Sequence, residues 1–201
     1  IKRFFGMLAA SHGTIWNASQ IGKSLVLSYH TVNSYLGYLE QAYLVRRVLP
    51  YHTNIKKRFV KSPRVYWRDS GLLHSLLHAR TADMLLSQPW VGVSWEGWVI
   101  EQILMALNIS GFHYQGPYYL RTNDGYEIDL ILSVSGVTYA IEIKLSSSPK
   151  KSDRERIEKT ADLIGADKKV LISKTLDHVE SDTFVSTNLR GFLTKTLGKV
   201  L

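Results

Sequence analysis

The chain has 201 residues, 25 Lys and Arg against 17 Asp and Glu, no cysteine, and a 45% hydrophobic share. That length holds one large domain or two small ones, and the 21% charged share, with Tyr 11, Phe 6 and Trp 5, argues against disorder. The lack of cysteine excludes disulfide scaffolds, thiolate metal sites and cysteine nucleophiles.

The longest apolar stretch, 97–107, is interrupted by Glu101 and Gln102, which argues against a membrane span. Ile1 opens a run that already reads as helix, with no signal-peptide pattern, so the expectation is a cytoplasmic piece of a longer protein. Charge is uneven. Residues 1–70 hold 11 Lys and Arg and only two acids, Glu40 and Asp69, for +9, whereas residues 71–201 hold 14 basic and 15 acidic residues, for −1. A basic first third joined to a neutral remainder points to a module with an anionic partner.

In chain order, residues 2–11 show apolar residues at helical spacing, and Gly13 is a stop signal. Asn17 then caps the short helix ASQIGKSL, and Ser28 caps a longer one to about Ala42. In this second helix Val32, Tyr35, Leu36 and Leu39 form the buried stripe, leaving Tyr29, His30 and Asn33 on the exposed N-terminal face. Two helices joined by a tight turn, the second offering polar N-terminal side chains, suit a DNA major groove. Residues 44–49, which include Arg46 and Arg47, and residues 64–67 read as strands. The loop between them carries Lys56, Lys57, Arg58 and Lys61 as a basic wing. With no Lys or Arg on the recognition-helix candidate, phosphate contact is better supported than base readout. A winged helix-turn-helix over residues 1–70 is expected, followed by a helical connector at 71–90. Winged helices also dock proteins, and that reading stays open.

Residues 91–201 read as an α/β domain. Ser94 is a cap candidate for a helix from Trp95 to about Leu107. Steps of 100° put Glu96 on the same side as Ile100, Ile103 and Leu107, and Glu101 opposite, toward solvent. A carboxylate facing the core needs a partner, a metal or a cleft. Asn123-Asp124-Gly125 marks a turn, after which residues 126–133 alternate, with Glu127, Asp129 and Ile131 on one face. Ser135-Gly136 is a two-residue turn candidate, and residues 137–145 alternate again, with Ala140, Glu142 and Lys144 on one face. If Ser135 and Gly136 are the loop, paired residues have numbers summing to 271, which makes Asp129 and Glu142 direct cross-strand neighbours. Lys144 follows on the same face. Like charges placed so repel, and a hard divalent cation, Mg²⁺ or Mn²⁺, offsets them. A salt-bridged pair without metal is the structural alternative. Beyond these strands, the run from Ser152 to Glu155 reads as a capping box and residues 169–173 as a further strand. His74 and His78 read as ordinary surface histidines, and Trp90, Trp95 and Trp98 as packing residues.

The run QIGKSLVLSYHTVNSYLGYLEQAYLVRRVLPY, followed by KSPRVYWRDSGLLHSLL, WEGWVIEQIL, EIDLIL and IEIK, resembles the region after the ATPase core in prokaryotic AAA-type ATPases that end in a conserved domain of unknown function. The resemblance implies a winged helix followed by a nuclease-like fold of the PD-(D/E)xK superfamily, with the ATPase domain upstream as a partner. No G-x-x-x-x-G-K-[ST] occurs, so no ATP site is expected in this chain. The order Glu96, Asp129, then Glu142-Ile143-Lys144 is similar to the PD-(D/E)xK signature, although Ile128 stands where that motif has proline. By resemblance, Asp129 and Glu142 are the metal-binding acids, Ile143 lends its backbone carbonyl, Lys144 orients or deprotonates the attacking water, and Glu96 completes the site. Glu127 shares the face of Asp129 but is not one of these core positions, and is kept only as an outer-shell candidate. The function expected is DNA binding coupled to Mg²⁺-dependent DNA cleavage; the alternative is a non-catalytic DNA- or protein-binding module of the ATPase. Oligomeric state is not legible.

Overall fold

The computed structural model describes residues 1–51 and 61–199, and the wing residues Lys56, Lys57 and Arg58 lie outside them. The fold is mixed α/β. Its two compact units are Ile1–Val48 with Ser62–Trp98, and Leu49–Lys61 with Val99–Leu201.

The first unit begins with three helices: α1 (Lys2–Ala10), α2 (Ala18–Leu25) and α3 (Tyr29–Gln41). The caps foreseen for α2 and α3 are both made. Asn17 Oδ1 accepts the Gln20 N–H at 3.0 Å, and Ser28 Oγ accepts the Thr31 N–H at 3.1 Å. Between them α2 ends on Val26, at φ 57°, which reverses the chain within three residues. Val32, Leu36 and Leu39 of α3 are buried with Phe4, Leu8, Ile21, Val65 and Trp67, while Tyr35 stays half-buried, edge-on to Phe4. Strand β1 (Val45–Pro50) pairs antiparallel with β2 (Arg64–Trp67), from Val45 opposite Trp67 to Val48 opposite Arg64. Two short helices follow, α4 (Ser70–Leu76) and α5 (Ala82–Leu86), capped by Asp69 and Thr81. They occupy the stretch read as a helical connector.

Helix α6 (Val91–Ile109) supplies its first eight residues to this unit and the rest to the second. It starts three residues before the Ser94 cap that was expected. Ser94 lies inside the helix, where its hydroxyl is 2.7 Å from His74 Nε2, so that histidine is a packing partner rather than a free surface group. A second correction concerns Glu101, expected in solvent: it is 8% exposed, on a helix whose Val99, Ile100, Ile103, Leu104 and Leu107 are all buried. The solvent stripe of α6 is apolar, formed by Trp98, Met105 and Ile109, so a wheel that assigns the outside to polar residues misplaces it.

The second unit is an α/β sheet. Its strands are ordered as the last residues of β1, then β3 (Tyr114–Arg121), β4 (Glu127–Val134), β5 (Val137–Ile143), β6 (Lys168–Ile172), β8 (Phe184–Thr187) and β7 (Val179–Glu180). β3, β4 and β5 run antiparallel in turn, while β5, β6 and β8 are parallel. Ser135 and Gly136 both take positive φ, 51° and 82°, as a two-residue hairpin turn requires. The turn sets Val134 opposite Val137 and Leu130 opposite Ile141, the register expected. Helix α7 (Lys151–Asp162) carries the chain from β5 to the parallel β6, packing Ile157 against Leu171 and Phe184, and Ala161 near Ile131 and Ala140. Its N-terminal contact differs from the capping box read at Ser152: the Asp153 carboxylate reaches back to accept the Lys150 N–H at 2.8 Å. After β8 the chain enters α8 (Leu189–Gly191), which continues as a wider π-turn over Phe192–Thr196, with Phe192 edge-on to Tyr139. No helix among the described residues is long and apolar enough to cross a membrane.

Candidate functional site

Asp129 comes from β4 and Glu142 from β5, both buried, at 5% and 4% exposure. Continuing the observed register one pair past Leu130–Ile141 sets them opposite each other. The Ile143 N–H donates to Asp129 Oδ2 at 2.9 Å, which ties the aspartate to the end of β5. Lys144 Nζ lies 2.6 Å from Glu142 Oε1, and the Lys144 N–H bonds the Ile172 carbonyl on β6 at 2.9 Å. Two carboxylates and a lysine therefore share one sheet face, as strand parity requires.

The electrostatics follow from burial. Glu142 is pushed up to about 7, first by loss of water and then by the neighbouring Asp129, with Lys144 and Arg156 of α7 pulling the other way. Burial pulls Lys144 down, but the Glu142 ion pair, Asp129 and Asp153 outweigh it and leave the ammonium held above its ordinary range. Glu142 Oε2 is buried without a hydrogen-bond partner among the described residues. Such an orphaned carboxylate oxygen is expensive for a fold to keep.

A hard cation fits that donor set. Mg²⁺ is commonly held by one or two carboxylates, with water and substrate phosphate filling its remaining positions. Asp129 and Glu142 are the residues that would hold it. No three His, Asp or Glu side chains gather to hold a metal among the described residues. A metal here would thus be bound by few protein ligands and remain open to substrate.

Glu96 belongs to the first unit, where its environment is cationic. Its carboxylate accepts a short hydrogen bond from the Tyr66 hydroxyl and pairs with Arg64 Nη1 at 3.3 Å. Gly97 permits this approach, since a Cβ there would stand 2.8 Å from His12 Nε2 and 3.0 Å from Tyr66 Cδ1. The core-facing glutamate has its partner, and the partner is an arginine. Glu127, for its part, lies 3.9 Å from Arg121.

The residues expected to meet DNA are of mixed availability. Tyr29 and His30 are exposed, their rings 3.9 Å apart at the start of α3. Asn33 is engaged internally: its Oδ1 accepts the Trp16 indole N–H at 2.7 Å. Arg47 bonds Glu40 through Nε at 2.7 Å, Arg46 is half-buried, and Lys61 is exposed. What periodicity could not register is that an indole buried across the helix pair needs an acceptor.

Residues 1–83 match the model of a domain of unknown function, DUF8612, and residues 91–190 match that of another, DUF4143. Over 149 residues the chain is 38% identical to an uncharacterized protein of Mycobacterium bovis and, to the same extent, to one of Mycobacterium tuberculosis. Each alignment covers 74% of this chain and 33% of the relative, so the chain spans about a third of the length of these relatives. No solved structure matches it.

Proposed function

We propose that this chain is the DNA-binding and DNA-cleaving region of a larger AAA-type ATP-binding protein of the cytoplasm, with its first unit a winged helix-turn-helix and its second a PD-(D/E)xK-like nuclease. One observation carries the reading: Asp129, Glu142 and Lys144 on one face, with a buried Glu142 oxygen that no group among the described residues satisfies. The length of the matched relatives, three times the aligned stretch, leaves room for an ATPase domain. On the DNA-binding side, the +9 charge of residues 1–70 and the exposed Tyr29–His30 pair support phosphate contact.

Hydrolysis of a phosphodiester requires an activated water and stabilisation of charge on the phosphate oxygens. A bound Mg²⁺ or Mn²⁺ supplies both acidification of water and Lewis acidity. Asp129 and Glu142 would bring the negative charge to hold such a cation, and the Ile143 amide fixes the orientation of Asp129. Lys144, already protonated beside Glu142, offsets phosphate charge and positions water; with its ammonium stabilised it is poorly suited to remove a proton.

The test is DNA cleavage by the full-length protein with ATP and Mn²⁺ or Mg²⁺, over duplex, branched and single-stranded substrates. Cleavage lost in Asp129→Ala and in Glu142→Ala, with Lys144→Ala keeping metal but losing rate, is the expected result. Equal cleavage by Asp129→Ala overturns it. A second reading, a DNA- or protein-binding module without cleavage, is favoured by one feature: Lys144 already engages Glu142, as in a metal-free ion pair. Metal binding by Asp129 and Glu142 separates the two.

A further inference from the structure

A second cluster of functional groups in the nuclease-like unit is unused by this chemistry. It is a cavity of about 400 Å³ beyond the end of β8, lined by His178, Thr187, Asn188, Arg190, Thr194 and Lys195. We propose that this cavity binds the phosphate group of a nucleotide, separately from the Asp129–Glu142–Lys144 cluster.

Its floor is prebuilt. Thr187 Oγ1 is 2.9 Å from His178 Nδ1, and the opposite ring nitrogen is 3.1 Å from Glu180 Oε2. Asn188 donates from Nδ2 to the Thr175 carbonyl at 2.9 Å and accepts the Gly191 N–H at 2.8 Å. These groups are spent on one another and hold the shape. Arg190 and Lys195 are different: both are exposed, and neither forms an ion pair among the described residues. Among the described residues the lining holds two permanent cations and no carboxylate, and Glu180, which touches the floor, is engaged by His178.

An anion is the ligand such a lining selects. The arginine fork with a lysine point charge matches a phosphate's several oxygens. Size extends the assignment, because about 400 Å³ is within the range of small-molecule sites. Leu176, 96% exposed at the rim, adds apolar surface for a sugar or base. Placement agrees as well: the cavity lies past the carboxyl ends of the parallel strands β6 and β8, where open α/β sheets bind ligands. The register separates it from the acid cluster. Glu142 aligns with Leu171 and Leu171 with Ser186, so Thr187 projects from the opposite sheet face.

A nucleotide phosphate can be free or can end a DNA strand. The full chain is titrated with inorganic phosphate, a deoxynucleoside 5′-monophosphate, and short single strands with and without a 5′-phosphate, following amide NMR signals of residues 174–195. Saturable shifts confined to that segment, weakened at least tenfold by Arg190→Ala with Lys195→Ala, are expected. Preference for the 5′-phosphorylated strand assigns the strand end, and preference for the mononucleotide assigns the free ligand. Mn²⁺ binding at Asp129 and Glu142 should persist in the double variant, so either site can fail without the other. Both substitutions are at exposed positions, and an unchanged spectrum elsewhere shows the fold intact. Absence of saturable shifts with all four probes, or shifts insensitive to the double variant, overturns the proposal.

Discussion

The two units place carboxylates in opposite company. In the first, Glu96 sits among donors, a tyrosine hydroxyl and the guanidinium of Arg64, itself 4% exposed. In the second, Glu142 sits against another carboxylate, Asp129, with one oxygen on Lys144 and the other without a partner among the described residues. Local pairing makes Glu96 a fixture of its unit. Glu142 is the more costly residue, and the cost is of the kind that a cation or a phosphate-bearing substrate relieves. An acid that the fold has not satisfied is the better functional candidate.

The largest expected effect comes from breaking the satisfied pair. Arg64→Ala removes the Arg64 charge from Glu96 at a nearly buried pair, and breaking such a pair typically costs about 3–5 kcal/mol. All five tryptophans belong to the first unit, so intrinsic fluorescence follows that unit during urea unfolding. A marked drop in its midpoint is expected. If Arg64→Ala unfolds like the parent, Glu96 is not held as described, and the contrast between the two carboxylates fails.

How much of this contrast was legible in the sequence depends on what sets each position. Hairpin β4–β5 was readable because alternation and a Ser-Gly turn fix face and register by themselves. The partner of Glu96 was not, since a helical wheel gives a direction but does not name the β2 arginine lying there. Strand β3 was missed because Gly116 and Pro117 interrupt it, and such residues argue against a strand interior. Strand β8, with only Phe184–Thr187, is too short to leave a period, and the cavity after it is made by tertiary contacts.

The next effects are smaller, and they oppose each other in pH. Glu142 in the fold titrates at about 7 against an ordinary 4.5, so between those values the folded chain holds more proton than the unfolded one. Stability of the second unit therefore falls as pH rises through that window, by roughly 3 kcal/mol. Glu142→Gln should abolish that slope in unfolding followed by amide NMR, and should abolish Mn²⁺ binding with it. In the first unit His12, 8% exposed, is lowered to about 4 from 6.5, chiefly by burial. There the unfolded chain holds the extra proton, so stability is lost as pH drops from about 6.5 towards 4, by a similar amount, roughly 3 kcal/mol. Tryptophan fluorescence should report this acid loss, and His12→Gln should flatten it. Slopes of the same sign in both units would contradict the buried states assigned to Glu142 and His12.

The smallest expected effect concerns charge that is not buried at all. Lys61 is exposed, in the segment that gives residues 1–70 their +9, and it forms no ion pair among the described residues. A solvated lysine of this kind adds almost nothing to folding, so Lys61→Ala should leave both unfolding transitions within about 0.5 kcal/mol of the parent. Its effect should appear only with DNA. Each phosphate neutralised releases condensed counterions, so the plot of log affinity against log salt for duplex DNA should flatten by about 0.9 when one contact is removed. Arg47→Ala provides the control, since its guanidinium is already taken by Glu40 and should leave the slope unchanged. Equal slopes for Lys61→Ala and the parent would remove Lys61 from the interface, whereas a flattened slope at unchanged stability would place it there as a phosphate contact.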